Sequence, residues 1–310
     1  MTFRHIAITA LVLALTATAC GSDSEKKESS SLQDQITVSG DYGEKPTIEM
    51  DAPVKVDETT SWTTVEGKGD KVGSEATTIL ALTIANARTG KTAISTNDEG
   101  QRPLEIKLGE QVFPALTDSL VGQSAGSRVV IASTPDDAYG DQGASQIGIK
   151  AGDPIVLVAD ILSTDPTSVL EGPTGATNDP PATAPKILVD GNDLTGLDFS
   201  GLKKPKKYQA IVLREGTGPE VEVDRIAADY IGQVWGAKEP FNNSYGKEPV
   251  QFSIGLGGVI PAWDKGLTGM KEGARVMLIC PPETAYGKAA QPGIPANSTL
   301  VFVIDVLGVG

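Results

Sequence analysis

The segment VIPAWDKGLTGMKEGARVMLIC, residues 259–280 of this 310-residue chain, carries the clearest signal of the fold, a short helix followed by a buried strand. Pro261 suits the first position of a helix, where its missing N–H is not needed. Trp263 and Leu267 are four residues apart and share one helix face, and Gly269 provides a stop. Because a helix this short is unstable alone, we expect it to pack against a sheet.

Strands are predicted on both sides of this helix. Segments rich in Val, Ile, Leu and aromatic residues alternate with Gly, Pro and Asn, which is typical of strands separated by turns. The predicted strands are Tyr208–Arg214, Ile226–Val234, Val250–Ile254, Arg275–Cys280 and Leu300–Leu307. This pattern indicates an α+β fold in which a curved antiparallel sheet wraps around one short helix.

The first half of the chain repeats the pattern of the second. Residues 112–140 align with residues 259–287 at a constant offset of 147, and 12 of the 29 positions are identical, including the closing Ala-Tyr-Gly. Between the halves, residues 165–185 contain five prolines, which disfavour both helix and sheet interior. The sequence therefore predicts two domains of one fold, 41–164 and 186–310, joined by a proline-rich linker.

The composition excludes several classes of function. A net charge of −14 argues against nucleic-acid binding, which needs clustered Lys and Arg. The single histidine, His5, precedes the first apolar run, so histidine triads and imidazole metal sites are not expected. Two cysteines, Cys20 and Cys280, provide neither a disulfide framework nor a multi-cysteine zinc site. We expect no metal and no cofactor, and we expect Cys280 to be a buried apolar residue in its strand.

The N-terminus resembles a bacterial lipoprotein signal. Arg4 precedes an apolar stretch, residues 6–19, that is shorter than the roughly 20 residues needed to span a bilayer, and small residues lead directly into Cys20. The resemblance implies that residues 1–19 are a signal peptide and that Cys20 carries a lipid anchor to the bacterial cell membrane, outside the cytoplasm. An ordinary signal peptide cleaved nearby is the alternative. Residues 20–40 are predicted to form a flexible, polar tether.

The second half also resembles a known family, the FKBP-type peptidyl-prolyl cis-trans isomerases, over residues 206–307. The motifs that carry the resemblance, in the family's order and spacing, are Ala228-Asp-Tyr-Ile-Gly232, Pro240-Phe-Asn-Asn-Ser244, Phe252-Ser-Ile-Gly255, Val259-Ile-Pro-Ala-Trp263, Gly266-Leu-Thr-Gly-Met270, Ala285-Tyr-Gly287 and Pro292-Gly-Ile-Pro295. Together with the duplication and the N-terminus, the resemblance implies a lipoprotein with two FKBP-like domains.

The resemblance implies a proline-binding pocket with Trp263 as its floor. The residues implied in catalysis are Tyr230, Phe241, Asn242, Ile260, Trp263, Tyr286 and Phe302, and those implied in substrate binding are Val250, Phe252, Val259 and Ile294. In the family, the Ile260 backbone N–H and the Tyr286 hydroxyl would donate hydrogen bonds to substrate carbonyls. For any single aromatic residue, a purely structural place in the core is the alternative.

Prolyl isomerisation suits a chain with so few nucleophiles and metal ligands. Amide resonance sets a barrier of about 18–20 kcal/mol between the cis and trans forms. Water stabilises the polar, planar amide more than the twisted one, so an apolar cavity that removes water favours the twisted transition state. Preference for the transition state over the ground state is the source of catalysis.

Asn242 departs from the family pattern, which usually has an aspartate directly after the pocket phenylalanine. Asparagine keeps a carbonyl acceptor but loses the negative charge. We therefore expect retained binding of proline peptides and measurable but reduced turnover.

The first half departs further from the family. The replacements are Leu116 for Trp263, Leu157 for Phe302 and Leu82 for Tyr230. No phenylalanine near residues 92–96 aligns with Phe241, although Tyr139 remains in the position of Tyr286. These changes predict a degenerate FKBP-like domain that serves as a spacer or a client contact.

The sequence as a whole predicts a peptidyl-prolyl isomerase that assists the folding of exported proteins at the cell surface. We expect it to act as a monomer on proline-containing polypeptides and not to bind nucleic acid. The alternative is a non-catalytic chaperone or envelope adaptor that binds proline-containing segments. Binding without acceleration of prolyl isomerisation would favour that alternative.

Overall fold

The computed structural model of the protein describes residues 31–109 and 112–310. Cys20 and the predicted signal peptide lie outside these residues, so the predicted lipid anchor stays a prediction. Within the described residues, no helix combines the length and the apolar character needed to cross a membrane.

An N-terminal hairpin precedes the first domain. It consists of the short helix α1 (Leu32–Gln35) and the antiparallel strands β1 (Ile36–Ser39) and β2 (Thr47–Met50). Ile36 and Ile48 are buried against apolar side chains of the first domain. The prediction of a flexible tether over residues 20–40 is therefore wrong from Leu32 onward, because these isoleucines bury apolar surface on the sheet.

The first domain is a six-stranded antiparallel sheet with one helix. Its elements are β3 (Thr60–Val65), β4 (Thr77–Asn86), β5 (Lys91–Ser95), β6 (Leu104–Lys107), α2 (Pro114–Leu120), β7 (Arg128–Ser133), a single 3₁₀ turn (Ser145–Ile147) and β8 (Ile155–Thr164). The strand order is β3-β7-β8-β4-β5, and β6 also pairs with β4. Leu116 and Leu120 of α2 are buried among the apolar side chains of one sheet face.

The second domain repeats this arrangement behind a hairpin of its own. Its elements are β9 (Lys186–Asp190), β10 (Asp193–Asp198), β11 (Gln209–Glu215), β12 (Arg225–Val234), β13 (Asn242–Asn243), β14 (Val250–Ser253), α3 (Pro261–Leu267), β15 (Ala274–Cys280), a 3₁₀ turn (Pro282–Thr284) and β16 (Leu300–Val309). The strand order is β11-β15-β16-β12-β13, with β14 also on β12, which matches the first domain. The predicted α+β fold with two FKBP-like domains, each a sheet with one short helix, is confirmed.

An ion pair between neighbouring strands marks the same position in both domains. Arg128 lies opposite Asp160 in the first domain and Arg275 lies opposite Asp305 in the second, with Nε–Oδ1 distances of 2.6 and 2.5 Å. The first pair is fully buried, because the N-terminal hairpin covers it and the Arg128 guanidinium also donates to the Gly40 carbonyl. The second arginine is 20% exposed.

Counting along the sheet from these aspartates aligns the two domains residue by residue. Asp160 pairs with the residue before Leu82, and Asp305 pairs with the residue before Tyr230. Leu82 therefore occupies the position of Tyr230, as the sequence predicts. Two residues further along the same strands, Ile84 occupies the position of Gly232.

Direct contacts join the two domains. The buried Arg225 guanidinium donates to Asp165 at 2.8 Å and to Glu105 of the first domain at 3.3 Å. Its backbone N–H donates to the Ser163 hydroxyl, and that hydroxyl donates to the carbonyl of Gly310. These bonds connect the end of β8 to the start of β12 and to the residue that follows β16.

Candidate active site in the second domain

A cavity of about 600 Å³ opens on the second domain between α3, β12, β14 and β16. The predicted site residues that line it are Tyr230, Phe241, Asn242, Phe252, Val259, Ile260, Trp263, Tyr286 and Phe302. Two predicted residues do not line it. Val250 lies two residues before Phe252 on β14 and is largely exposed, and Ile294 is buried in the adjoining apolar core.

Trp263 is the centre of the aromatic lining. Its indole meets the rings of Tyr230, Phe252 and Phe302 edge to face, with centroid separations of 5.2, 4.9 and 5.4 Å. Edge-to-face contacts place the positive ring edge on a negative ring face and hold the rings in defined orientations. Trp263 is only 5% exposed, which fits a floor beneath the opening. Its Nε1–H is buried and finds no partner in the described part of the chain.

Gly232 makes room for the phenylalanine on the opposite wall. A Cβ at this position would lie 2.6 Å from the Cζ atom of Phe241 and 2.9 Å from the Cε1 atom of Phe302. Those distances are shorter than real side chains tolerate, so only glycine allows the Phe241 ring to lie against Phe302. The two rings meet edge to face at 5.8 Å.

The chain segment that carries Phe241 is held to β12 by a buried serine. The Tyr230 N–H donates to the Ser244 hydroxyl at 2.8 Å, and that hydroxyl donates to the Asp229 carboxylate at 2.9 Å. The Ser244 N–H donates in turn to the Tyr230 carbonyl. These bonds fix both Tyr230 and Phe241 relative to the sheet before any ligand binds.

A glycine-rich turn places Ile260 at the entrance to α3, and Asp264 braces this turn. Gly255 and Gly257 have positive φ and donate their N–H groups to the two Asp264 carboxylate oxygens at 2.9 and 3.0 Å. Sequence reasoning missed Asp264; the signal was an aspartate in the first turn of a helix directly after a glycine-rich run. These two hydrogen bonds fix the turn that leads into the helix.

The cavity offers two hydrogen-bond donors that no described residue uses. The Ile260 N–H precedes the helix and makes no hydrogen bond within the described residues. The Tyr286 hydroxyl also lacks a partner among them, and the Tyr286 side chain is 38% exposed at the rim. A ligand with carbonyl groups would satisfy both donors.

The titratable groups around the cavity give it no general base. Burial, and then the nearby Tyr286, raise the pKa of Tyr230 above its ordinary value. Behind the helix, burial raises the pKa of the Cys280 thiol to about 12, so this buried cysteine is protonated and not a nucleophile, as the sequence predicts. The described residues contain no group of His, Cys, Asp and Glu that could hold a metal ion. The arrangement can desolvate and orient a ligand, but it offers no proton transfer.

Asn242 lies at the exposed rim of this lining. It is the first residue of β13 and pairs with Gly232 across the strands. Its side chain faces the cavity and makes no hydrogen bond to another described residue. The amide is therefore available to a ligand, and it brings no charge to the rim.

The first domain has a cavity in the equivalent position, of about 790 Å³. Its lining includes Leu116 where the second domain has Trp263, Leu82 where it has Tyr230, and Tyr139 where it has Tyr286. Leu157, which replaces Phe302, is buried in the core behind this cavity. The first cavity is thus open and mostly aliphatic.

Comparison with known proteins assigns the family. A family model described as FKBP-type peptidyl-prolyl cis-trans isomerase matches residues 68–160 and 218–307, which together are more than half of the chain. The chain belongs to this family. Both FKBP domains carry the match, and each includes the helix and the cavity described above.

Curated FKBP relatives align with about one third of the chain. The isomerase FkpA of Escherichia coli K12 is 46% identical over 103 residues, which cover 33% of this chain and 37% of that protein. FK506-binding protein 4 of Mycosarcoma maydis is 40% identical over 112 residues, covering 35% of this chain and 30% of that protein. The chain therefore spans only about a third of the length of these relatives.

Solved structures of FKBP proteins also match. The three FKBP domains of wheat FKBP73 cover 81% of this chain and 94% of that structure at 18% identity, with a TM-score of 0.34. The Escherichia coli FkpA structure is 41% identical over 36% of this chain and 52% of that chain, with a TM-score of 0.31.

Proposed function

We propose that the second domain catalyses the cis-trans isomerisation of prolyl peptide bonds. The observation that carries this proposal is the aromatic cavity over Trp263, which joins an apolar interior to two unused hydrogen-bond donors. Family membership supports the same activity. The first domain, with leucine in place of the tryptophan floor, does not catalyse the reaction in this proposal.

The geometry supports catalysis by desolvation. The pyrrolidine ring of the substrate would lie over the Trp263 indole, and the Ile260 N–H and Tyr286 hydroxyl would orient the flanking carbonyls. Loss of water costs the planar amide more than the twisted one, whose charge separation has decreased. Each tenfold acceleration requires about 1.4 kcal/mol of preference for the twisted form.

The place of action is also a proposal. The lipoprotein-like N-terminus supports lipid attachment at Cys20 and a role in the folding of proline-containing polypeptides after export, at the outer face of the cell membrane. On this view the chain after Cys20 stands outside the cytoplasm as a monomer. Labelling of Cys20 with a fatty acid in cells would support it, and recovery of the full-length chain in the cytosol would contradict it.

A second candidate function is a non-catalytic chaperone or envelope adaptor. The observation that favours it is Asn242, which leaves the rim of the active cavity without the charge that the family usually has there. Such a protein would bind proline-containing segments in the same cavity without changing their isomerisation rate.

A refolding assay separates the two candidates. A substrate protein whose refolding is limited by prolyl isomerisation is mixed with the full chain or with its Tyr286→Phe variant. We expect acceleration by the wild type and a loss of about tenfold in kcat/KM for the variant, since one hydrogen bond in the transition state is worth about 1.4 kcal/mol. Tyr245→Phe is the matched control, because Tyr245 packs on the opposite face of the sheet. Binding without acceleration would establish the adaptor instead.

A further inference from the structure

The first domain contains an apolar cavity that the proposed isomerase reaction does not use. Its floor and walls come from Leu82, Ile84 and Leu116, and the rings of Phe113 and Tyr139 close one side at a centroid distance of 5.6 Å. This cavity lies at the position that holds the candidate active site in the second domain, so it occupies the place where the second domain is expected to bind a ligand.

The mouth of the first cavity exposes large apolar side chains to water. Ile94 and Leu104 both line the cavity and are 41% and 43% exposed. Exposed apolar side chains around an apolar cavity are typical of a binding surface. Contact of these side chains with water contributes no stability to the domain, whereas a bound partner would bury them. Among the described residues, the charged side chains in the lining are Glu105 and Lys107 of β6.

The shape and chemistry of this cavity favour aliphatic side chains over a prolyl ring. Ile84 stands where Gly232 admits the Phe241 ring, and Leu116 stands where the indole forms a flat floor. The cavity therefore lacks the ring surfaces that would hold a pyrrolidine in one orientation. A leucine or isoleucine side chain gains from burial in it without needing such orientation.

The two cavities are linked through a direct contact between the domains. The Arg102 guanidinium donates to the Leu256 carbonyl, and Leu104 and Gly258, each two residues away from this contact, line the first and second cavities. With 3.8 Å between consecutive Cα atoms, the two rims lie within about 25 Å, a span that about seven extended residues cover. One polypeptide can therefore reach both.

We propose that the first-domain cavity binds aliphatic side chains of the same extended client whose prolyl residue occupies the second-domain cavity, no more than about seven residues away along the client chain. This inference rests on the proposed function, because it takes the second cavity as the prolyl site. Once the prolyl residue is bound in the second cavity, binding of the aliphatic side chains in the first cavity is an intramolecular step. The two contacts together therefore give unfolded segments a higher affinity than one contact alone.

The test compares labelled peptides of about 15 residues, binding to the full chain, by fluorescence anisotropy. One pair of peptides carries Leu-Ile about seven residues before or after the proline, and the matched pair carries Ser-Ser there. We expect one of the Leu-Ile peptides to bind about tenfold more tightly than its serine counterpart. The double variant Ile94→Ser/Leu104→Ser should remove this difference.

A matched control tests whether the position of the exposed residues matters. Val65 and Val121 are also exposed apolar residues of the first domain, but they lie outside the cavity. The double variant Val65→Ser/Val121→Ser should retain the tenfold preference. Equal affinity of the Leu-Ile and Ser-Ser peptides for the wild type, or a preference that survives in Ile94→Ser/Leu104→Ser, would overturn the proposal.

Other occupants of the cavity give different results. If Ile94→Ser/Leu104→Ser abolishes self-association measured by sedimentation, the occupant is a second copy and the proposal is wrong. If the full chain shows no preference for the Leu-Ile peptides but a chain without residues 1–30 does, the chain's own N-terminus occupies the cavity and the proposal is again wrong. Turnover of a short proline peptide tests the isomerase separately. A Leu-Ile preference without turnover keeps this inference and rejects the catalytic function, and turnover without the preference does the reverse.

Discussion

The two cavities of this protein differ in the residue found at one equivalent position of the strand beneath them. In the second domain Gly232 leaves space that the Phe241 ring fills, and in the first domain Ile84 occupies the same place on the equivalent strand. An isoleucine and a neighbouring phenylalanine ring cannot share that space. The residue that the strand carries there therefore decides whether a phenylalanine ring can join the lining. The tryptophan, the tyrosine and the other phenylalanine are replaced separately, by Leu116, Leu82 and Leu157.

This difference shows how a duplicated fold can change the lining of its cavity without changing its framework. Strand order, helix position and the Arg–Asp ion pair are the same in both domains. The strand beneath the cavity changes its side chains and leaves its hydrogen bonds intact, so the sheet tolerates the exchange. In our proposal, the first cavity then binds a different part of the client polypeptide.

The largest effect on activity is expected when Gly232 of the second cavity is replaced by isoleucine, the residue at the equivalent position of the first cavity. Gly232→Ile should displace the Phe241 ring and lower kcat/KM for a short proline peptide about 100-fold, or about 2.7 kcal/mol. The overpacked core should also lose about 1–3 kcal/mol of unfolding free energy. Kinetics and urea unfolding of the full chain measure the two effects.

The double variant Gly232→Ile/Phe241→Ala shows whether the clash is the cause. With the ring removed, the isoleucine has space. The double variant should therefore lose less unfolding free energy than the two single variants lose in sum, by about 1 kcal/mol or more. Strict additivity would mean that Gly232 matters for another reason. The comparison of the two cavities would then lose its physical basis.

A smaller effect is expected at Asn242, where the cavity rim lacks a charge. Asn242→Asp should raise kcat about threefold, or about 0.6 kcal/mol, because a carboxylate strengthens hydrogen bonds at the rim. Gln291→Glu, at an exposed residue of the same domain whose side chain makes no hydrogen bond to another described residue, controls for added charge alone. Unchanged turnover in Asn242→Asp would show that the departure from the family pattern is neutral.

The sequence predicted the helix and the strands because each depends on local signals, and the resemblance to the family predicted most of the cavity lining. Pro261 begins α3 and Leu267 ends it, as the proline and the apolar spacing predict. The family motifs supplied Tyr230, Phe241 and Trp263, which the structure brings together around one cavity.

The remaining features depend on contacts between distant segments, which local patterns do not encode. The burial of Ile36 in the N-terminal hairpin and the contact of Arg102 with Leu256 join residues far apart in the chain. The resemblance implied Val250 as a wall of the cavity, but Val250 does not line the cavity and is 38% exposed.

The most direct test is the isomerisation rate of a short proline peptide, measured by exchange NMR with the full chain. Trp263→Leu gives the second cavity the floor of the first, and Trp235→Leu changes a tryptophan on the opposite face of the same sheet. We expect the first variant to lose about 100-fold in rate and the second to stay within about twofold of the wild type. Full activity in Trp263→Leu would contradict the assignment of this cavity as the catalytic site.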